Sequence, residues 1–243
     1  MIGSVAAVDA IAPANVRTEM PAVERRRRWF EVCLVLAVAF GSFIVNALYF
    51  LKNGPQAVPH YNLRWAVGVV QETTSLLLLV YVLSRRGLGF RHIGLRWSVR
   101  DCLVGLLIAG LAYIAYLVAA VVIQMLHYSL YGSVAIGRTA ADFFAHPSVA
   151  AIPFHLLNPI FEELIVRAYL MTEIVELTGS SLLAVLISVA VQFSYHLYYG
   201  WTGAIAISFC FLTFAVYYAR SRKALPVIVA HEIFDIYALV RVW

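Results

Sequence analysis

The chain reads as an all-α, polytopic membrane helix bundle of about seven transmembrane helices, and three observations carry that reading. Hydrophobic residues make up 63% of its 243 residues and charged ones 13%, against roughly 45–50% and 25% in ordinary soluble domains; the mean hydropathy is +0.84. The apolar residues gather into successive runs of roughly spanning length, separated by short polar or basic stretches. The basic residues collect in alternate connections, so one side of the bundle is strongly positive. The formal net charge of +5 is therefore a matter of topology, and no nucleic-acid motif competes with it. No internal repeat is visible, so the chain is expected to be one compact domain.

Residues 1–28 mix Ala, Pro, Val and isolated charges and are expected to form a disordered cytoplasmic tail, not a signal peptide. Residues 29–243 follow as a single transmembrane helical domain. Arg25 to Arg28 precede the first apolar run, Trp29 to Leu51, and hold its start on the cytoplasmic side of the plasma membrane. Lys52 to Leu63, with Gly54, Pro55 and Pro59, is an external loop, and helix two, about Arg64 to Leu83, returns inward. Ser84 to Arg100 interleaves Arg85, Arg86, Arg91, Arg96 and Arg100 with Leu88, Phe90, Ile93, Leu95 and Trp97. Such a stretch is expected to lie on anionic headgroups, with membrane lipids as its partners.

Helix three, about Asp101 to Leu126, leads to an external loop, His127 to Pro147. Helix four, Ser148 to Leu177, ends at the Thr178–Ser181 turn, and Glu173 and Glu176 near that end are expected to be solvated. Helix five runs from about Leu182 to Tyr198, helix six from about Ala204 to Tyr218, and helix seven from about Ala224 to Val240. Arg220, Arg222 and Lys223 form the third basic connection. Cys33, Cys102 and Cys210 show no spacing for a metal or redox pair and are expected to be small core residues.

Helix four carries the chemistry. In Phe161-Glu162-Glu163-Leu164-Ile165-Val166-Arg167, each charge at a bilayer centre costs roughly 2.5–3.5 kcal/mol on insertion scales, so the three must face protein or water. Glu163 and Arg167 are four apart with the acid N-terminal, the favourable order for an ion pair on one helix face. Glu162, about 100° around the helix, is left over, and a spare buried carboxylate is a candidate general base. Helix five offers Gln192 and His196 on one face, and helix seven offers His231 and Asp235, each pair four apart. Three polar stripes in a membrane bundle can build one site. Glu72, beside Gln71 in helix two, lacks a histidine or arginine at helical spacing and reads as a polar contact between helices. Tyr195, Tyr198, Tyr199 and Trp201 read first as an interfacial aromatic belt.

These stripes resemble the motifs of the CPBP family, the type II CAAX prenyl protease and bacteriocin-processing (Abi) membrane proteins, over about residues 148–240. Two glutamates, three residues and an arginine are matched by Glu162, Glu163 and Arg167; the second motif's histidine by His196; and histidine, three residues, then asparagine or aspartate by His231 and Asp235. Gln192 stands where the family usually has phenylalanine, which puts the packing or substrate wall around His196 in question. The resemblance implies an intramembrane endopeptidase acting on a peptide or protein substrate, prenylated or not, without a covalent intermediate. Glu162 assisted by His196 would activate water, while His231 and Asp235 would stabilise the oxyanion. An ionised Asp235 cannot donate a hydrogen bond, so orienting His231 is its better role. Glu163, Arg167 and Gln192 would support the site.

Two other readings stand beside this one. The same fold without catalysis would serve as a membrane scaffold or a bacteriocin self-immunity protein. A metalloendopeptidase would hold zinc at Glu162, His196 and His231, although Asp235 stands where the metalloprotease helix motif needs histidine. The residues themselves call for no cofactor, and a small transporter is disfavoured by the lack of a broken helix or inverted repeat.

Overall fold

A computed structural model describes residues 20–54, 61–135, 138 and 149–242. The tail expected at 1–28 therefore lies outside the described residues up to position 19, as do 55–60 and most of 136–148 of the two external loops. Among the described residues the chain forms helices joined by turns and irregular connections, without strands. The helices are α1 (Ala22–Asn53), α2 (Tyr61–Ser84), α3 (Val99–Tyr131), α4 (Ala151–Glu162), α5 (Leu170–Thr178), α6 (Ser181–Tyr195), α7 (Gly200–Ser221) and α8 (Leu225–Val242). A π-helical segment, Glu163–Tyr169, joins α4 to α5 into one rod, and a 3₁₀ turn, Leu197–Tyr199, joins α6 to α7. The rods are seven, in the places the hydropathy pattern assigns them.

Four of them, Ala22–Asn53, Leu63–Ser84, Val99–Tyr131 and Leu197–Ser221, are long and apolar enough to cross a membrane, and Ser181–Tyr195 is a shorter apolar helix. Their outer faces suit lipid. On α3, Leu103, Leu106, Leu107, Leu111, Ile114 and Val118 are exposed, an apolar stripe that water would not tolerate and hydrocarbon does. The site rod is the reverse, with every residue from Phe161 to Ile174 buried. A helix buried on all sides is the axis about which the others pack. α2 and α8 pack on α4, α6 packs on α5, and α3 closes the outside against α7 and α8.

The α3–α8 crossing depends on Gly105. A Cβ there would stand 2.7 Å from the Val229 Cβ and 2.9 Å from the Pro226 carbonyl oxygen. Gly105→Ala is expected to push α8 away and destabilise the bundle by about 1–3 kcal/mol, the range for overpacking a tight contact. Unfolding in detergent micelles measures it; an unchanged transition would mean that the two helices separate freely.

The basic connections differ from expectation in detail. Arg25 to Arg28 lie on α1 itself, and Arg28 is buried. It donates to the Glu173 Oε2 at 2.7 and 2.9 Å, and Arg86 reaches the other oxygen at 2.8 Å. Arg86 also pairs with Glu31 at 2.5 Å, and Glu176 takes Arg28 and, at 3.3 Å, His92. Glu173, only 1% exposed, is therefore not solvated as expected. It is the centre of a network tying α1, the connection after α2, and α5, because two arginines reach a carboxylate that the apolar run alone cannot neutralise. Within that connection Ile93 is buried, and Leu88, Phe90 and Leu95 pack on the core instead of on lipid. Arg85, Arg91, Arg96, Trp97 and Arg100 remain exposed. Gly94, at φ +85, brings its carbonyl to the Ala224 N–H at 3.0 Å; a Cβ would lie 2.1 Å from the Arg222 carbonyl oxygen, so only glycine fits. All three basic stretches thus meet at one end of the bundle. Cys210 is buried, but Cys102 is half-buried and Cys33 is exposed on α1, so two of the three are not core residues.

Candidate functional site

The site forms where α4 gives way to the π-helical segment. Pro159 cannot donate to the His155 carbonyl. From Glu163 onward the backbone widens until the Leu170 N–H bonds the Ile165 carbonyl, five residues back. A single wide turn of this kind shifts the azimuth of the side chains that follow and often marks a functional site. Neighbouring helices hold the displaced carbonyls: Ser188 on α6 donates to Val166 at 3.1 Å, and Tyr218 on α7 donates to Ala168 at 3.1 Å. The wide turn is thus fixed in place by its surroundings.

Glu162 is the last residue of α4, and three side chains donate to its carboxylate. Tyr195 reaches Oε2 at 2.7 Å and Gln192 reaches it at 3.2 Å, both from α6, while Asn158 reaches Oε1 at 3.3 Å from one turn earlier on α4. An acceptor-only group met by three donors and no acceptor suits the ionised form. The Tyr195 ring is itself stacked on Phe40 of α1, with centroids 4.7 Å apart and planes 4° from parallel. Tyr195 is therefore a buried site residue and not part of an interfacial belt; Trp201, by contrast, is exposed.

His196 follows Tyr195 at the end of α6. Its Nδ1 lies 2.9 Å from the Gln192 carbonyl oxygen. A carbonyl only accepts, so Nδ1 carries the proton and Nε2 is left with its lone pair. Phe211 packs on the ring at a centroid distance of 4.7 Å.

His231, on α8, is held from the other side. Its Nδ1 donates to the Glu163 Oε1 at 2.9 Å, and Nε2 lies 3.7 Å from the Asp235 Oδ1. Asp235 was expected to orient His231, but it is Glu163 that makes the hydrogen bond. Asp235 stays beyond hydrogen-bond range of His231, while its second oxygen stands 3.5 Å from His155. Glu163 keeps the expected ion pair as well, with Oε2 at 3.4 Å from the Arg167 Nε, both side chains 0% exposed. The Arg167 guanidinium also lies 5.4 Å over the Phe211 ring and 3.5 Å from the Phe211 carbonyl.

The stripes on α4, α6 and α8 thus meet: Tyr195 and Gln192 of α6 hold Glu162, His231 of α8 holds the adjacent Glu163, and Phe211 packs on both the His196 and the His231 ring, at centroid distances of 4.7 and 5.7 Å. The structure also adds groups that the motifs do not name. Asn158 and Glu162 lie on one helical face of α4 with His155, and that periodicity was open to reading. Glu72, the polar contact of α2, accepts from the same Asn158 nitrogen at 2.9 Å. Tyr195 could not be found from spacing, since it stands a quarter-turn from His196 among other aromatics. Among the described residues no three His, Cys, Asp or Glu side chains converge as metal ligands do.

Residues 144–237, the stretch that holds all of these groups except Glu72 and Phe40, match the family model described as type II CAAX prenyl endopeptidase Rce1-like. No curated protein matches the chain, and no solved structure does.

Proposed function

We propose that this chain, whose residues 144–237 match the type II CAAX prenyl endopeptidase Rce1-like family model, hydrolyses a peptide bond at the membrane with a water activated by Glu162. The observation that carries this reading is the trio of donors on the Glu162 carboxylate, which keeps a base aimed and charged inside an apolar bundle. Glu162 takes a proton from the water as its oxygen attacks the scissile carbonyl. His196, with Nδ1 committed to the backbone, offers Nε2 as the second proton acceptor. The carbonyl oxygen gains the charge, and the Nε2–H of a doubly protonated His231, pinned through Nδ1 by Glu163, stabilises it. Collapse of the tetrahedral species returns the proton from Glu162 to the leaving amine, so no covalent enzyme intermediate forms. Asp235, between His231 and His155, holds α8 to α4.

The substrate is a peptide or protein segment with or without a prenyl group, met in the plane of the plasma membrane. The clustering of Arg25–Arg28, the 84–100 connection and Arg220–Lys223 at one end of the bundle supports a cytoplasmic N-terminus under the positive-inside rule. The test is incubation of the protein in lipid nanodiscs with CAAX-type peptides, farnesylated and unmodified, followed by mass spectrometry of the products. Cleavage that persists in a metal chelator is the expected outcome. Cleavage lost on chelation and restored by zinc would put a metalloendopeptidase in its place.

A further inference from the structure

Glu72 has no part in the family's motifs, yet it is wired to the base. It is 0% exposed on a lipid-crossing helix, and acids in such positions are rare and mark function more often than packing. Its Oε1 accepts one hydrogen of the Asn158 amide at 2.9 Å, and the other hydrogen of the same nitrogen serves the Glu162 Oε1 at 3.3 Å. Its Oε2 is buried with no hydrogen-bond partner.

We propose that Glu72 is a positioning residue for the reaction, acting on Glu162 through Asn158; the inference rests on Glu162 being the base. The amide nitrogen has two hydrogens in a fixed plane. With one anchored on Glu72, the other points at the Glu162 Oε1. Tyr195 and Gln192 then hold only Oε2, so the plane of the Glu162 carboxylate is set by donors at both of its oxygens. Without Glu72 the Asn158 side chain is free to rotate about its terminal torsion, which has a broad energy well. Glu162 would then lose its fixed direction, a loss felt when the proton moves and not when substrate binds.

The test compares Glu72→Gln, which keeps an oxygen acceptor for Asn158, with Glu72→Leu, which does not. Expected is wild-type kcat for Glu72→Gln, and for Glu72→Leu a kcat lower by about tenfold with KM unchanged, the size of one net hydrogen bond. A second readout needs no substrate. The chain has asparagines at 15, 46, 53, 62 and 158 only, so asparagine-selective ¹⁵N labelling leaves a short side-chain amide spectrum, assigned by Asn158→Leu. Both Asn158 amide protons should shift in Glu72→Leu, including the one facing Glu162, and Glu72→Gln should restore the latter. Full activity in Glu72→Leu, an equal loss in both variants, or a Glu162-facing proton that does not respond to Glu72 would overturn the proposal. If Glu162→Gln cleaves as well as the wild type, it is the assignment of the base that fails, whatever the amide spectrum shows.

Discussion

Glu162→Gln leaves a folded protein that no longer cleaves peptide, with a fall in kcat of at least about 10²–10⁴-fold, the range for removing a positioned general base. Glutamine nearly matches glutamate in volume, and its amide oxygen can still accept from Tyr195, which donates at 2.7 Å in the parent. What it lacks is the ability to take a proton from water. The thermal transition in micelles should therefore move little, and KM should stay near the wild-type value, because the lost interaction is made only as the bond is broken. Glu163→Gln separates the two adjacent acids. It weakens the hold on His231 Nδ1 and the pair with Arg167 together, so it should lower both activity and stability. Retained cleavage in Glu162→Gln with loss confined to Glu163→Gln would make the second acid the base.

The helices were legible because lipid imposes a strong signal. Seven apolar runs and three basic connections are composition-level facts, and the rods appear where those facts place them. The stripes on α4, α6 and α8 were legible for a similar reason: Glu163 with Arg167, and His231 with Asp235, are local spacings on single helices. Contacts between helices were harder. Nothing in the period of α5 says that Arg28 and Arg86 arrive at Glu173, so a buried acid was read as a solvated one. The π-helical segment was invisible because α and π turns differ by a single hydrogen-bond step that the neighbours decide, here Ser188 and Tyr218. At the start of that segment Glu163 reaches the His231 Nδ1 at 2.9 Å, while Asp235 stands 3.7 Å from the same ring. The chain's departure at Gln192 from the usual phenylalanine also gained meaning only in three dimensions, as a third donor to Glu162.

Arg167→Met is expected to be the most damaging substitution for the fold. Methionine fills much of the arginine's volume, so the cost lies in what it leaves behind: Glu163, 0% exposed, without its nearest fixed cation. Breaking a buried pair from one side costs about 3–5 kcal/mol, a large share of the 5–15 kcal/mol that holds an ordinary domain. His231 remains on the other carboxylate oxygen at 2.9 Å, so the loss should fall at the lower end of that range where the ring is protonated and grow as it loses its proton. Removing the acid as well, in Glu163→Gln with Arg167→Met, should recover much of the stability, since an uncharged pair has no buried charge to leave unpaired. Activity should not return with it. Glutamine at 163 accepts the His231 Nδ1–H through a weaker, uncharged oxygen, and the ring that faces the oxyanion loses part of its charge and its fixed orientation. Unfolding in micelles and peptide cleavage, measured on the two single variants and the double, would show stability and catalysis parting. If activity recovered along with stability, Glu163 would serve the fold alone and the hydrogen bond to His231 would carry no catalytic weight.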